Sequence, residues 1–309
     1  MRTDPITPPD LADVIAVPPW CRKRVAKRTP DFEQTYQLLR HIAAGGIRNF
    51  MFGGNAEIFH CSLRHYTKLL EWMAGLSEDW WLLPACGPGF GRAQDQAPLL
   101  RRLRFPAVMM LPCSDPRTAS GLETGLNEIV EAAETPLILY LKDETTLGTD
   151  LDAGLDMLGR LVESKACVGI KYAVVRKDPT VDSYLERLLQ RVPRERVVSG
   201  IGERPAIAHL RTWQLPGFTT GSGCVAPALT RKLFEAGRRG DWMEAERVRQ
   251  IFLPLEDLRD VWNPARVLHH AVELAGIAKT GPLLPYLSPL TEDQLSQLEP
   301  IALALKAST

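Results

Sequence analysis

Eight times between residues 13 and 236 the chain passes from a short apolar run into a longer amphipathic one. The apolar runs are DVIAVPP (13–19), IRNFMFGGN (47–55), WWLLPACGPG (80–89), FPAVMMLP (105–112), TPLILYLK (135–142), ACVGIKYAVV (166–175), RVVSGIG (196–202) and PGFTTGSG (216–223). They are apolar along their length rather than at alternate positions, which is the pattern of strands buried on both faces of a parallel sheet. The stretches between them carry helical spacing over 31–44, 62–75, 92–103, 120–133, 150–162, 182–190, 204–210 and 227–236. Eight strand–helix units in so few residues suit a closed (β/α)8 barrel, the TIM barrel, better than an open sheet. From residue 241 the pattern is helical only, and Asn263–Pro264 reads as a cap followed by a first-turn proline. The expected architecture is a barrel over 1–240 with a C-terminal helical extension of the same domain over 241–309.

Lysine plus arginine and aspartate plus glutamate both number 37, and a balanced chain is not that of a nucleic-acid binder, which needs a basic surface. No stretch reaches the ~18 apolar residues of a membrane span. MRTDPITPPDL lacks the apolar centre of a signal peptide, so a cytoplasmic, membrane-free protein is expected. The six cysteines form no CxxC pair, and His60, Cys61 and His65 are the nearest approach to a ligand cluster, so no metal site is expected. CGPGFGRAQ lacks the spacing of a dinucleotide loop. CRKRVAKR, with five basic residues, reads as a solvated loop, or as a mouth-side patch that steers anions.

In a barrel of this kind chemistry sits at the C-terminal ends of the strands. There stands Lys171, a lone ammonium inside ACVGIKYAVV, where desolvation is costly. Either it snorkels to water, or its amine, made neutral by its surroundings, attacks a keto carbonyl to form an imine. Tyr140 ends the preceding strand, and a phenol beside an imine can relay protons; equally, it is a tyrosine at the core's rim. Gly53 and Gly54 allow close approach of a ligand to the backbone, whose N–H groups, with the Asn55 amide, suit a carboxylate; a plain turn has the same residues. Glu57 is expected to brace that loop. Thr219 and Ser222 supply polar groups at the end of strand eight.

Taken together, GGNAE, LILYLK, GIKY, GFTTGSGCVAPAL and the NPARVLHHAVELAGI…GPLLPYLSPLTEDQ ending resemble the dihydrodipicolinate synthase and N-acetylneuraminate lyase superfamily of Schiff-base barrels, in order and spacing along nearly the whole chain. The resemblance implies an imine at Lys171, proton relay at Tyr140, carboxylate binding at Gly54 and Asn55, and Thr219 in the pocket. It implies a 2-keto acid or keto-deoxy sugar acid as substrate, cleaved at a carbon–carbon or carbon–oxygen bond, no cofactor, and a homo-oligomer, tetramer or dimer. The synthases' second tyrosine and their arginine after strand five are replaced here by Ser114 and Thr145. Ala56 also departs from the family's glycine. The nearest branch by resemblance is 5-dehydro-4-deoxyglucarate dehydratase, whose YNRD is YLKD here. Lys142 shares a strand face with Tyr140 by alternation; it is a candidate for a distal carboxylate, for lowering the Lys171 pKa, or for a solvated lysine. The alternative function is a degraded member that binds a keto acid as a sensor or interaction protein.

Overall fold

The computed structural model describes residues 1–25, 27–115 and 117–308. Eight parallel strands close on themselves in chain order: β1 Val14–Ala16, β2 Asn49–Phe52, β3 Trp81–Cys86, β4 Val108–Met110, β5 Leu137–Leu141, β6 Cys167–Tyr172, β7 Val197–Ser199 and β8 Phe218–Thr220. Closure is made by β1 against β8, with Val14, Ile15 and Ala16 opposite Phe218, Thr219 and Thr220. A short helix, α1 (Pro8–Leu11), precedes β1, and each strand is followed by a helix: α2 Phe32–Ala44, α3 Leu63–Ala74, α4 Phe90–Leu103, α5 Ala119–Ala133, α6 Leu151–Glu163, α7 Ser183–Leu189, α8 Ala206–Arg211 and α9 Pro227–Arg238. The closed (β/α)8 barrel expected from the apolar runs is the fold observed.

Three further helices follow: α10 Trp242–Trp262, α11 Pro264–Leu274 and α12 Glu292–Ala307. Asn263 caps α11, its side-chain oxygen accepting from the N–H groups of Ala265 and Arg266, with Pro264 in the first turn. Helix α1 was not foreseen, being a single turn. It closes the N-terminal end of the barrel with Leu11, which is fully buried. The Leu11 methyls lie 3.2 and 3.5 Å from where a Cβ on Gly169 would stand. That glycine leaves room for the plug two residues before Lys171.

The basic run after β1 is not wholly solvated. Lys23 and Arg24 are exposed, but Arg22 is buried and donates to the buried Glu57 carboxylate. Arg22 also donates to the carbonyl oxygens of Trp20 and Ala56. Glu57, in the left-handed region at φ 56°, accepts from the Leu284 N–H at 2.9 Å with its other oxygen. The expected brace is therefore real, and it joins the loops after β1 and β2 to the segment between α11 and α12. Burial pushes the Glu57 carboxyl above, and the Arg22 guanidinium below, their ordinary ranges, each partner's charge opposing the change. Desolvation thus outweighs attraction, and the pair's value lies in fixing three segments rather than in net stability.

Removing one partner leaves the other charge buried. Arg22→Met is expected to lower the unfolding free energy by about 3–5 kcal/mol. Combining it with Glu57→Met should recover most of that loss. Urea unfolding of the three proteins checks both, and a double variant no more stable than Arg22→Met would contradict this account of the pair.

Candidate active site

Strand β6 is held so that Lys171 faces the barrel's interior. On the outer face the Tyr172 hydroxyl donates to Asp182 at 2.7 Å, and Asp182 caps α7 by accepting from the Leu185 N–H. Arg176 donates to the same carboxylate at 2.9 Å. Successive strand residues point to opposite faces, so anchoring Tyr172 outward turns Lys171 inward. Gly200, just past β7, gives it space. A Cβ there would lie 2.8 Å from Lys171 Cγ and 2.8 Å from the Tyr172 carbonyl oxygen.

The β5–β6 register sets Tyr140 directly opposite Lys171, and the ammonium nitrogen lies 4.3 Å from the centre of the phenol ring. This is cation–π distance. Lys171 is only 5% exposed. Burial first, and the charge of Arg259 second, pull its pKa from 10.5 down to about 8. Burial pushes the Tyr140 phenol up, with Arg259 opposing. Of the two readings open for Lys171, the structure disfavours snorkelling, since the side chain stays enclosed. At pH 7 roughly one amine in ten is neutral at such a pKa, against about one in three thousand at the ordinary value.

Arg259 was not singled out in the sequence. It comes from α10, where the buried stripe Val248, Phe252, Leu255 continues through Glu256 and Arg259. An acid and a base on an apolar stripe were the available signal. Its guanidinium lies against the backbone just after β8, where a Cβ on Gly221 would be 2.4 Å from its terminal nitrogen. It donates to Glu256 at 2.6 Å and to the Ser222 hydroxyl at 3.1 Å, and Ser222 donates to the same Glu256 oxygen. Beside this group Glu203, fully buried, accepts from Thr220 and from Thr230 on α9. Burial and then the charge of Glu256 raise the Glu203 pKa. A layer of buried ionisable groups therefore underlies the end of β8.

The remaining predicted residues are placed as follows. Thr220 points outward to Glu203, so its neighbour Thr219, 2% exposed, faces the interior by alternation. Ser222 is engaged with Glu256 and Arg259. Gly54 is half-buried, and a Cβ there would make an ordinary contact with Phe59 Cε2 at 3.9 Å. Gly53 is the tighter position, since a Cβ there would be 2.4 Å from Met109 Cε. Asn55 donates one amide N–H to the Val17 carbonyl oxygen at 2.8 Å, tying the loop after β2 to that after β1. Lys142 lies beyond the last residue of β5 and its side chain is exposed; the cation that acts on Lys171 is Arg259 instead.

A lysine held near pKa 8 must cost stability wherever it would be protonated when unfolded. Below pH 8 the full penalty applies, about 3 kcal/mol for the drop from 10.5. It fades between pH 8 and 10.5 and vanishes above. Lys171→Met is accordingly expected to unfold at higher temperature than the unaltered protein at pH 7, with the difference shrinking as pH rises toward 10. Calorimetry across that range checks it; a destabilised variant at pH 7 would refute the enclosure.

Three comparisons bear on this geometry. Residues 92–305 match the model of the dihydrodipicolinate synthetase family. The chain is 26% identical over 192 residues to a 4-hydroxy-tetrahydrodipicolinate synthase of Anaeromyxobacter sp. (strain Fw109-5) and 29% identical over 187 residues to that of Dechloromonas aromatica (strain RCB). These stretches cover 62% and 60% of this chain and the same shares of the relatives, so the match spans about three-fifths of their length. Among solved structures, dihydrodipicolinate synthase from Bacillus clausii superposes with a TM-score of 0.80 at 21% identity, covering 96% of this chain and 98% of that one. YagE, a prophage protein of this family from E. coli K12 solved in complex with pyruvate, gives 0.78 at 20%, covering 95% and 98%. At such identities the structures speak for the fold, and the family model speaks for descent: the chain belongs to the dihydrodipicolinate synthetase family.

Proposed function

We propose that the protein is a Schiff-base-forming lyase acting on a 2-keto acid, with Lys171 as the imine-forming residue and Tyr140 as its proton relay. The observation that carries this reading is the enclosed pair itself, an amine 4.3 Å from the centre of a phenol ring in the barrel's interior. The neutral amine adds to the keto carbonyl, the carbinolamine loses water, and the protonated imine withdraws electrons from the adjacent carbon. That carbon then loses a proton, or its bond to a neighbouring carbon or hydroxyl breaks, and the phenol supplies or accepts the proton. The turn at Gly54 and Asn55 holds the keto acid's carboxylate, and Thr219 lines the interior next to it.

Both 4-hydroxy-tetrahydrodipicolinate synthase relatives suggest carbon–carbon bond chemistry, while the likeness to the dehydratase branch suggests loss of water. Ser114 and Thr145 are exposed, where the synthases place a tyrosine and an arginine. This favours a substrate other than the synthases' own. No organic cofactor is called for, since the imine supplies the activation. We place the enzyme in the cytoplasm as a homo-oligomer, on the family likeness.

Sodium borohydride added with pyruvate is expected to fix one keto acid per chain on Lys171, seen by mass spectrometry and peptide mapping, and Lys171→Ala should abolish it. Absence of an adduct with pyruvate and with a panel of 2-keto acids would refute the proposal. Tyr140→Phe should keep adduct formation but lower turnover by about 10²–10⁴. Arg259→Gln should move the rising limb of the pH–rate profile to higher pH, because a cation that keeps the amine neutral is removed, and lower kcat/KM at pH 7 about three- to tenfold. An unmoved limb would deny Arg259 that role.

A further inference from the structure

Three glycines stand at the C-terminal ends of β7 and β8, and the groups that fill the space they leave connect α10 to Lys171. A Cβ on Gly200 would meet Lys171 Cγ at 2.8 Å. Two residues on, a Cβ on Gly202 would lie 3.1 Å from a Glu256 carboxylate oxygen. A Cβ on Gly221 would lie 2.4 Å from Arg259 Nη2 and 2.8 Å from its Cζ. The backbone at Gly221, with φ −97°, is open to any residue. The neighbouring guanidinium, not the chain conformation, is therefore what leaves no room for a side chain there. Arg259 reaches across the ends of two adjacent strands, and its charge acts on both Lys171 and Tyr140.

This guanidinium is held from one side. Its hydrogen bonds leave from Nη1, to Glu256 at 2.6 Å and to Ser222 at 3.1 Å. Among the described residues its one ion pair is with Glu256, and its Nε is buried without a hydrogen-bond partner. The residue is only 7% exposed, and buried donors are nearly always matched. Nε and Nη2 make up the side-on edge of the fork, the geometry that takes a carboxylate through two parallel hydrogen bonds. Glu256 and Ser222 fix the other end of the guanidinium, so that edge is set in place in advance. Nη2 lies on the Gly221 side, two residues from the inward-facing Thr219.

The strand order says which part of a substrate would meet it. In the closed barrel β2 stands across from β6, with β8 midway between them. A keto acid with its carbonyl at Lys171 and its first carboxylate at the Gly54–Asn55 turn spans the barrel from β6 to β2. Arg259 is then beside the remainder of the molecule. We propose that Arg259 determines specificity, its open Nε–Nη2 edge receiving a second carboxylate at the far end of the 2-keto acid. The inference rests on the Schiff-base reading above and assigns the residue that selects its substrate.

The test measures, at fixed pH, the keto acid concentration that gives half-maximal borohydride trapping. It compares acids of equal length, 2-oxopentanoate with 2-oxoglutarate and 2-oxohexanoate with 2-oxoadipate. The unaltered protein should favour the diacid of at least one pair by roughly 10- to 100-fold. Arg259→Lys keeps a cation but loses the fork, and Gly221→Ala displaces the guanidinium without removing it. Each should bring the diacid-to-monoacid ratio to within about threefold of unity. In Arg259→Lys the pH dependence of trapping should stay close to that of the unaltered protein, because a charge remains. Where one variant fails to fold, the other carries the test. A ratio near unity in the unaltered protein, or a diacid preference kept by either folded variant, would overturn this inference alone. Equal weakening of both members of each pair would assign Arg259 to the amine only and overturn it too. Failure of the unaltered protein to trap any keto acid would overturn the Schiff-base reading, and this inference with it.

Discussion

An ammonium group enclosed by a barrel interior, with a phenol ring across from it, is the constraint to which much of this structure answers. Water would solvate Lys171 better than the protein does, so the surroundings must hold it in place against that preference. Three features do so. The β5–β6 register brings Tyr140 opposite it. The outward anchor of Tyr172 on Asp182 stops β6 from turning over. Gly169 and Gly200 keep the space below and beside it free of side chains that would displace it. The resulting loss of stability is local, and a barrel of this size, with a core running through every strand, tolerates it.

The C-terminal helices belong to the same argument. Helix α10 delivers Arg259 and Glu256 to the end of β8, so the electrostatics at Lys171 depend on residues almost ninety positions away in sequence. The segment between α11 and α12 is tied to Glu57 through Leu284 and so to the loop that carries Gly54 and Asn55. Loss of these helices would therefore disturb both the amine and the turn beside it, although neither belongs to them. That dependence explains why an apolar helix stripe contains an acid and a base: their partners are on the barrel, not in solvent.

Much of this was legible in the sequence because it rests on local pattern. Continuous apolar runs name strands buried on both sides, and the run around Lys171 was itself the reason to suspect a perturbed amine. Asn263–Pro264 announced its helix, and Glu57 its bracing role. What escaped reading depends on pairings across long separations. Arg22 looked like one of five solvated cations until Glu57 was seen opposite it. Arg259 sat in a helix whose partner face could not be known without the fold. Lys142 and Tyr140 share a parity that predicts a common face, but β5 ends at Leu141, and beyond a strand's end alternation no longer directs a side chain.

The same reasoning fixes how charge is divided around the candidate site. Buried cationic charge is concentrated at Lys171 and Arg259, close to where a keto acid would present its carbonyl. The buried carboxylates beside them are held within the same layer, Glu256 by Arg259 and Ser222, and Glu203 by Thr220 and Thr230.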